Sequence, residues 1–442
     1  MNRKRAVQVA VVASSVAGYI WLGYFTERAS FPQVIGIYFA LFGLYVLMLR
    51  SRVLSDSLKT IIGVALIFRL ALLFMTPNLS DDYFRFVWDG LLTAHGYNPY
   101  LTMPSAFIHG PETVPGITPD LFSHLNSPDY YSVYPPLCQF VFGISARLNG
   151  ASILANVVTM RLFILLAEAG SMVLLYKLAR KLGFPPHLIA IYAFNPLVVI
   201  ELTGNLHLEA VMIFFLLLAV YLLIAGRQVY SAASFALAAG TKLWPLIFLP
   251  LLIKRIGWVR SLRYFAIVGS GLVLLFSPFL SARSVANFVS SLGLYFRKFE
   301  FNASIYYLVR WMGYQITGYN VIAVSGPVLG AVSAAIIIVI AFRQKVAGWQ
   351  SLVSNMLICI TVYFLFATTV HPWYLTTLVV LAVFTEYRYP LVWSLMVILS
   401  YAAYRVFPYS ESLRLVALQY SVVGGWMVYE MRKRRLTYPR VE

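Results

Sequence analysis

The sequence predicts an all-α, polytopic transmembrane protein, and three observations carry that reading. Of its 442 residues, 60% are apolar and 11% are charged, against about 25% charged in an ordinary soluble domain. The apolar residues fall in runs long enough to approach the ~30 Å hydrocarbon core of a bilayer. The 34 Lys and Arg residues outnumber the 16 Asp and Glu and gather in loops on one side, as cytoplasmic loops do. A soluble globule could not hide so much apolar surface. Disorder requires the opposite composition.

In chain order the apolar runs are 6–24, 34–49, 60–75, 153–176, 187–203, 207–225, 264–280, 321–342, 349–367, 374–386, 390–407 and 413–431. They predict about 12 spans. The first follows Arg3, Lys4 and Arg5 with no A-x-A site after it, so it is expected as a retained span and not a cleaved signal. Pro135–Leu148 opens on Pro135-Pro136, and Ser231–Ile253 is interrupted by Gly240 and Trp244-Pro245. Broken backbone at membrane depth survives only against protein or a water-filled cavity. Both segments are therefore expected as half-helices, broken or re-entrant, lining a cavity. Cys138 and Cys359 lie in apolar stretches without metal-like spacing and read as core residues.

With the N-terminus inside, the inner segments hold 22 of the 34 basic residues, from Arg3 through Arg52 to Arg440. The outer loop 76–134 holds one, Arg85. This places both termini in the cytoplasm. Segment 231–253 must then enter and leave on one side, because Arg227 and Lys254 both prefer the cytoplasm. Basic residues scattered over many loops exclude a nucleic-acid face. The acids run the other way: Asp81, Asp82, Asp89, Glu112, Asp120 and Asp129 all lie in 76–134, and His95, His109, His124, His207 and His371 fall on the outer side. Acids contribute little to orientation, so this concentration calls for an outer-face site.

The chain reads as one transmembrane domain, 1–442, without an internal repeat. Its two outer elaborations are a first large loop, 76–134, and an amphipathic segment, 281–320. In the first, Asp81–Thr93 is expected to form a short helix along the membrane surface. Ser80 would cap it, with Asp81 and Asp82 in its first turn. Gly96-Tyr97-Asn98-Pro99-Tyr100 reads as a turn.

Several residues carry chemistry. Asp81-Asp82 at a helix start can take a proton from an attacking hydroxyl; helix capping is the plainer alternative. Glu201 lies within a span and needs a partner or a proton. Lys242, in the broken hairpin, needs a lipid phosphate or an ion pair with an acid such as Glu201. His207 and Glu209 follow a span at its outer end, where an ionisable group is functional or a structural hydrogen-bonder. His371 with Trp373 and Tyr374 suits phosphate or sugar. Arg85, Arg297, Lys298 and Arg310 are outer cations, and arginine pairs well with phosphate. Paired carboxylates can hold Mg2+ or Mn2+; His207, Glu209 and His371 would suggest zinc, but no H-E-x-x-H helix exists. Asn78 and Asn302 begin N-x-S sequons.

The motif Ser80-Asp81-Asp82-Tyr83-Phe84-Arg85-Phe86-Val87-Trp88-Asp89-Gly90, followed by Gly96-Tyr97-Asn98-Pro99-Tyr100, resembles the first outer loop of the GT-C glycosyltransferases. These are membrane enzymes that use polyprenyl-phosphate-linked sugars. The resemblance is to the mannosyltransferase branch, which includes the bacterial phosphatidylinositol-mannoside enzymes and, more distantly, the first GPI mannosyltransferase. Relatives with D-E-x-R-Y match at Asp82 and Arg85, but Tyr83 stands where their Glu does and the second acid is Asp81. Further matches follow in order: Tyr134-Pro135-Pro136, with Gln139 after it; Asn195-Pro196, Glu201 and Gly204-Asn205-Leu206-His207-Leu208-Glu209; Lys242-Leu243-Trp244-Pro245; Phe301-Asn302-Ala303-Ser304; and His371-Pro372-Trp373-Tyr374.

The resemblance implies GT-C architecture and an inverting enzyme that needs neither a metal nor a cofactor. It would move a hexose, foremost mannose, from a polyprenyl-phosphate donor to an acceptor hydroxyl on a lipid or glycan. The reaction would face the outer side of the membrane: the periplasmic side of a bacterial inner membrane, or the ER membrane in a eukaryote. Either Asp82 or Asp81 is the implied base, Asp82 being favoured. Arg85, Lys242, Arg297 and His371 would meet the donor phosphate. Trp88, Asp89, Asn98, Tyr134, His207, Glu209, Asn302, Trp373 and Tyr374 would line the substrate site. The alternatives are a secondary transporter, or a flippase or polymerase of lipid-linked glycans. A transporter would show an inverted repeat.

Overall fold

A computed structural model describes residues 3–51, 57–406 and 408–437. Of the basic residues assigned above to the inner side, Arg52 and Arg440 lie outside the described residues. Among those described the chain is helical without a strand; one isolated bridge joins Phe301 to Thr369.

The chain opens with α1 (Arg3–Tyr24) packed on α2 (Phe31–Ser51), followed by α3 (Leu58–Leu70). The first large loop contains α4 (Asp82–Ala94) and two single turns, α5 (Pro104–Ile108) and α6 (Pro119–Ser123). Next come α7 (Pro136–Asn149) and the long α8 (Ile153–Leu182). A bent stretch follows, with α9 (Ala190–Ala193) leading into a π-helix over Val198–Gly204. The hairpin α10 (Glu209–Ile224) and α11 (Gln228–Thr241) precedes α12 (Pro250–Ile256) and α13 (Trp258–Phe276). The second outer segment forms α14 (Ala282–Arg297) and α15 (Ile305–Thr317). The chain finishes with α16 (Ile322–Arg343), α17 (Gln350–Phe366), α18 (Thr376–Ala382), α19 (Tyr389–Met396) and α20 (Leu413–Thr437).

Local chemistry sets several of these boundaries. Ser57 and Ser152 accept hydrogen bonds from the first-turn amides of Thr60 and Ala155. α8 stops at Gly183, whose φ of 72° is the left-handed cap that glycine adopts freely. Ser281 and Ser284 cap α14 reciprocally.

Among the described residues, five helices are long and apolar enough to cross a membrane: Arg5–Tyr24, Phe31–Ser51, Ile153–Leu182, Trp258–Phe279 and Ile322–Arg343. A sixth candidate is the pair Pro186–Ala193 and Val198–Gly204, bent by 59°. Shorter apolar helices supply the rest, so the apolar runs do not map one-to-one onto straight rods. Prolines supply many of the breaks, because each removes an amide donor and crowds the preceding turn. The two segments expected to be broken differ. Pro135–Leu148 forms one 14-residue helix, α7. Ser231–Ile253 breaks at Lys242, runs through a 3-10 turn at Trp244–Phe248 and resumes as α12. The architecture is that of a polytopic helical membrane protein.

The motif helix α4 is not a surface helix. Nine of its 13 residues, from Tyr83 to Leu92, are buried. It packs against α7 so closely that a Cβ on Gly90 would lie 2.5 Å from the Phe142 carbonyl oxygen. Burial is possible because its charges cancel internally: Arg85 Nε meets Asp89 Oδ1 at 2.8 Å, one turn on. Ser80 caps only weakly, its hydroxyl lying 3.4 Å from the Asp82 amide.

Two buried arginines tie the helices together. Arg69 of α3 pairs with Glu168 of α8 at 2.5 Å and donates to the Ala193 carbonyl. Arg161 of α8 donates to the carbonyls of Leu73, Met75, Thr203 and Gly204 at 2.6–3.0 Å. It thereby fixes the approach to Asp81-Asp82 against the end of the π-helix.

Candidate active site

A cavity of about 850 Å³ opens where the start of α4, the start of α7, the 205–208 turn, the break at Lys242, the end of α14 and the 369–374 segment converge. Ligand sites usually occupy roughly 300–1,000 Å³. Asp81, Asp82, Arg85, Tyr134, His207, Glu209, Lys242, His371, Trp373 and Tyr374 all line it. Residues scattered over nearly 300 positions of sequence thus share one space.

The two aspartates have different surroundings. Asp81 is held by Arg28, from the α1–α2 turn, at 2.5 Å. Asp82 accepts a hydrogen bond from Asn126 at 2.7 Å and carries no Arg or Lys ion pair among the described residues. The other lining carboxylates are paired: Glu209 with Lys242 at 3.0 Å and Glu300 with Arg310 at 2.5 Å. Burial is the main influence on the Asp82 carboxyl and raises its pKa above the ordinary range. Asn126 and Lys242 oppose that rise; Asp81 and Glu209 reinforce it.

The turn carrying His207 is over-determined. Leu206 is fully buried with φ 67°, a left-handed conformation that a leucine holds only under constraint. Arg161 supplies part of that constraint. His207 Nδ1 lies 2.8 Å from the Glu201 carbonyl, and its ring stacks on Trp373 at 3.9 Å. The stack continues through His371, 4.3 Å from Trp373, to Phe301. This four-ring column lines one part of the cavity. Both histidines keep a buried ring nitrogen with no partner, Nε2 in His207 and Nδ1 in His371. Burial first, then Lys242, pushes the His371 pKa down to about 3, so the ring is neutral.

Lys242 pairs with Glu209, not with Glu201, and lies within 6 Å of the rings of Tyr134, Trp244 and Tyr374. Glu201 instead receives hydrogen bonds from Tyr401 and Asn205 at 2.7 and 3.0 Å. The cavity also contains cations that sequence reading did not select. Arg28 stacks over Tyr404 at 4.3 Å, and Arg405 lies beside it in the lining. Arg28 follows an apolar helix and resembles ordinary loop charge in sequence, and Arg405 ends the 3-10 helix Val397–Arg405 inside the 390–407 run.

Other expected site residues sit outside the lining. Arg297 is exposed at the end of α14. Trp88 is fully buried beside Phe107 and Phe122. Asp89 is buried and held by Arg85, Ser132 and Gln139. Asn98 bonds the Phe279 carbonyl. Asn302 is buried, with its amide on the Val370 carbonyl and its backbone N–H on Glu411. Asn78 does border the cavity, but its side-chain amide is turned inward, onto the carbonyls of Leu22 and Thr26. Arg85 reaches the cavity wall, but it donates to Asp89 and to the carbonyls of Ser127 and Tyr130. It therefore braces the loop that supplies Asn126. Among the described residues no group of three or more His, Cys, Asp or Glu side chains is arranged around a metal position.

An apolar helical protein with a large cavity, lined by a carboxylate without an Arg or Lys partner among the described residues, by stacked aromatic rings and by cations, defines the class. The sequence identifies the family. Residues 6–260 match the model of the alpha-(1→6)-mannopyranosyltransferase N-terminal domain, and the chain belongs to that family. It is also 27% identical, over 218 residues, to alpha-(1→6)-mannopyranosyltransferase A of Mycobacterium tuberculosis. That match covers 49% of this chain and 40% of the relative.

Proposed function

We propose that this chain is an integral-membrane inverting mannosyltransferase. It moves a mannosyl group from a polyprenyl-phosphate donor to an acceptor hydroxyl on a lipid or glycan, at the outer face of the membrane. Family membership supports the sugar. The observation that carries the chemistry is Asp82: of the four carboxylates lining the cavity, it is the one without an Arg or Lys partner among the described residues. A carboxylate committed to a cation is a poorer base. A partly buried carboxylate with a raised pKa is a better one.

The step is a single displacement. The acceptor hydroxyl attacks the anomeric carbon while Asp82 takes its proton. The bond from that carbon to the phosphate oxygen breaks, and polyprenyl phosphate leaves with the electron pair. Lys242, Arg28 and Arg405 lie in the cavity to meet the growing phosphate charge, and fixed charge of this kind is a large term in such reactions. The stacked column that includes Trp373 and His371 bounds the space left for the sugar.

The test supplies membranes containing the protein with labelled polyprenyl-phosphate mannose and candidate acceptors, and reads the anomeric configuration of the product. Transfer with inversion is expected. Retention of configuration, or uptake of a solute without transfer, contradicts the proposal.

A further inference from the structure

The reading of Asp82 as the base leaves open what receives its proton's hydrogen bond. His207 Nδ1 faces two acceptors, the Glu201 carbonyl oxygen at 2.8 Å and Glu201 Oε2 at 3.5 Å. A carbonyl can only accept, so Nδ1 carries the imidazole proton. Nε2 therefore presents a lone pair. It is buried, has no hydrogen-bond partner, and lies 3.9 Å from Asp82 Oδ2. Two acceptors without a proton between them do not bond, and 3.9 Å is outside hydrogen-bond range. Stacking on Trp373 prevents the ring from turning away.

We infer that His207 is the positioning residue of the base: its Nε2 lone pair accepts the hydrogen bond of Asp82 once Asp82 Oδ2 has taken the substrate proton. This rests on the functional reading above and deepens it. The gap closes when the proton arrives, as catalytic hydrogen bonds commonly tighten in the Michaelis complex. The proton remains on Asp82, held by Nε2, and passes to water as the product leaves. Burial keeps His207 well below the ordinary histidine range, consistent with an imidazole that accepts a hydrogen bond without taking the proton outright. The charged and titratable groups facing the pair are Asp81 beside Asp82 with its partner Arg28, Lys242 paired with Glu209, Glu201 behind the imidazole, His371 beyond Trp373, and the phenols of Tyr134, Tyr295, Tyr374 and Tyr404.

Two consequences separate this role from simple packing. An acceptor for the protonated acid raises the pKa of Asp82, so losing it moves the acidic limb of the kcat/KM pH profile to lower pH. The loss also requires Asp82. His207→Gln and His207→Leu are expected to lower kcat about tenfold, the scale of one hydrogen bond to such a group. The acidic limb shifts down, most in the leucine variant, and the donor KM stays within about twofold. In an Asp82→Asn background the same substitutions are expected to cost little more. The glutamine variant keeps polar character and size, so it supplies the result if the leucine variant fails to fold. A lowered kcat with an unmoved limb, a raised donor KM with kcat intact, or full additivity with Asp82→Asn overturns the inference. Wild-type transfer by Asp82→Asn alone removes the base itself, which is a different failure.

Discussion

At the scale of single residues, the difference between two neighbouring carboxylates organises the site. Asp81 and Asp82 are adjacent in sequence and equivalent by type. Their partners separate them: Arg28 takes Asp81, and Asp82 faces Asn126 and His207. Arg28→Gln leaves the Asp81 charge uncompensated beside the proposed base, Asp82. A second negative charge disfavours ionisation of Asp82, so its pKa rises further. The acidic limb of activity is then expected to move to higher pH, opposite to the shift expected for His207 variants. Adding Asp81→Asn should return it toward wild type. The pair is partly exposed, with side chains 26% and 39% accessible, so its effect on stability is expected to stay below about 1 kcal/mol. A pH profile of transfer, with melting temperatures of the purified variants, checks both parts. The adjacency of the aspartates was legible from the sequence. Their partners were not, because Arg28 lies 53 residues away and is brought close only by the turn between α1 and α2.

At the scale of elements, the site depends on helices that are short, bent or tightly wedged. α4 carries the aspartates at its start and is held by backbone proximity to α7 at Gly90. Gly90→Ala forces those backbones apart, and overpacking of this kind is expected to cost about 1–3 kcal/mol. Thermal unfolding in detergent measures it. Arg161→Met would leave four buried carbonyls without a donor. Unmet buried polar groups cost about 1–3 kcal/mol each, so this variant is expected to lose both stability and the alignment of His207 with Asp82. Here the sequence misled in instructive ways. The aromatic and charged spacing of 81–93 predicts a surface helix, because periodicity cannot see that Arg85 and Asp89 neutralise each other. The 187–203 run predicts a plain span, but hydropathy reads composition and not straightness. The structure bends it by 59° and ends it in a π-helix. Ser231–Ile253 was the opposite case: Gly240 and Trp244-Pro245 marked the break, and Lys242 sits in it.

At the scale of the molecule, membrane architecture was the most legible feature, because it follows from composition and charge bias alone. The positive-inside pattern further predicts sidedness. Glu112→Cys in the first large loop is expected to react with a membrane-impermeant maleimide in intact cells, and Lys59→Cys only after permeabilisation. Reversed accessibility would place the cavity on the cytoplasmic side. The function was legible only as an ordered set of motifs, and their convergence on one cavity was beyond the reach of sequence. The excursion of polar residues to that cavity is the feature the transfer reading explains best: one carboxylate without a cation, opposite an aromatic wall and beside cations. The most direct measurement compares wild type, Asp82→Asn and Asp81→Asn in transfer of label from polyprenyl-phosphate mannose. Loss of a general base is expected to lower kcat by about 10²-fold or more, so Asp82→Asn should fall by that much with its donor KM little changed, while Asp81→Asn retains most activity. Equal transfer by all three proteins would contradict the assignment of the base.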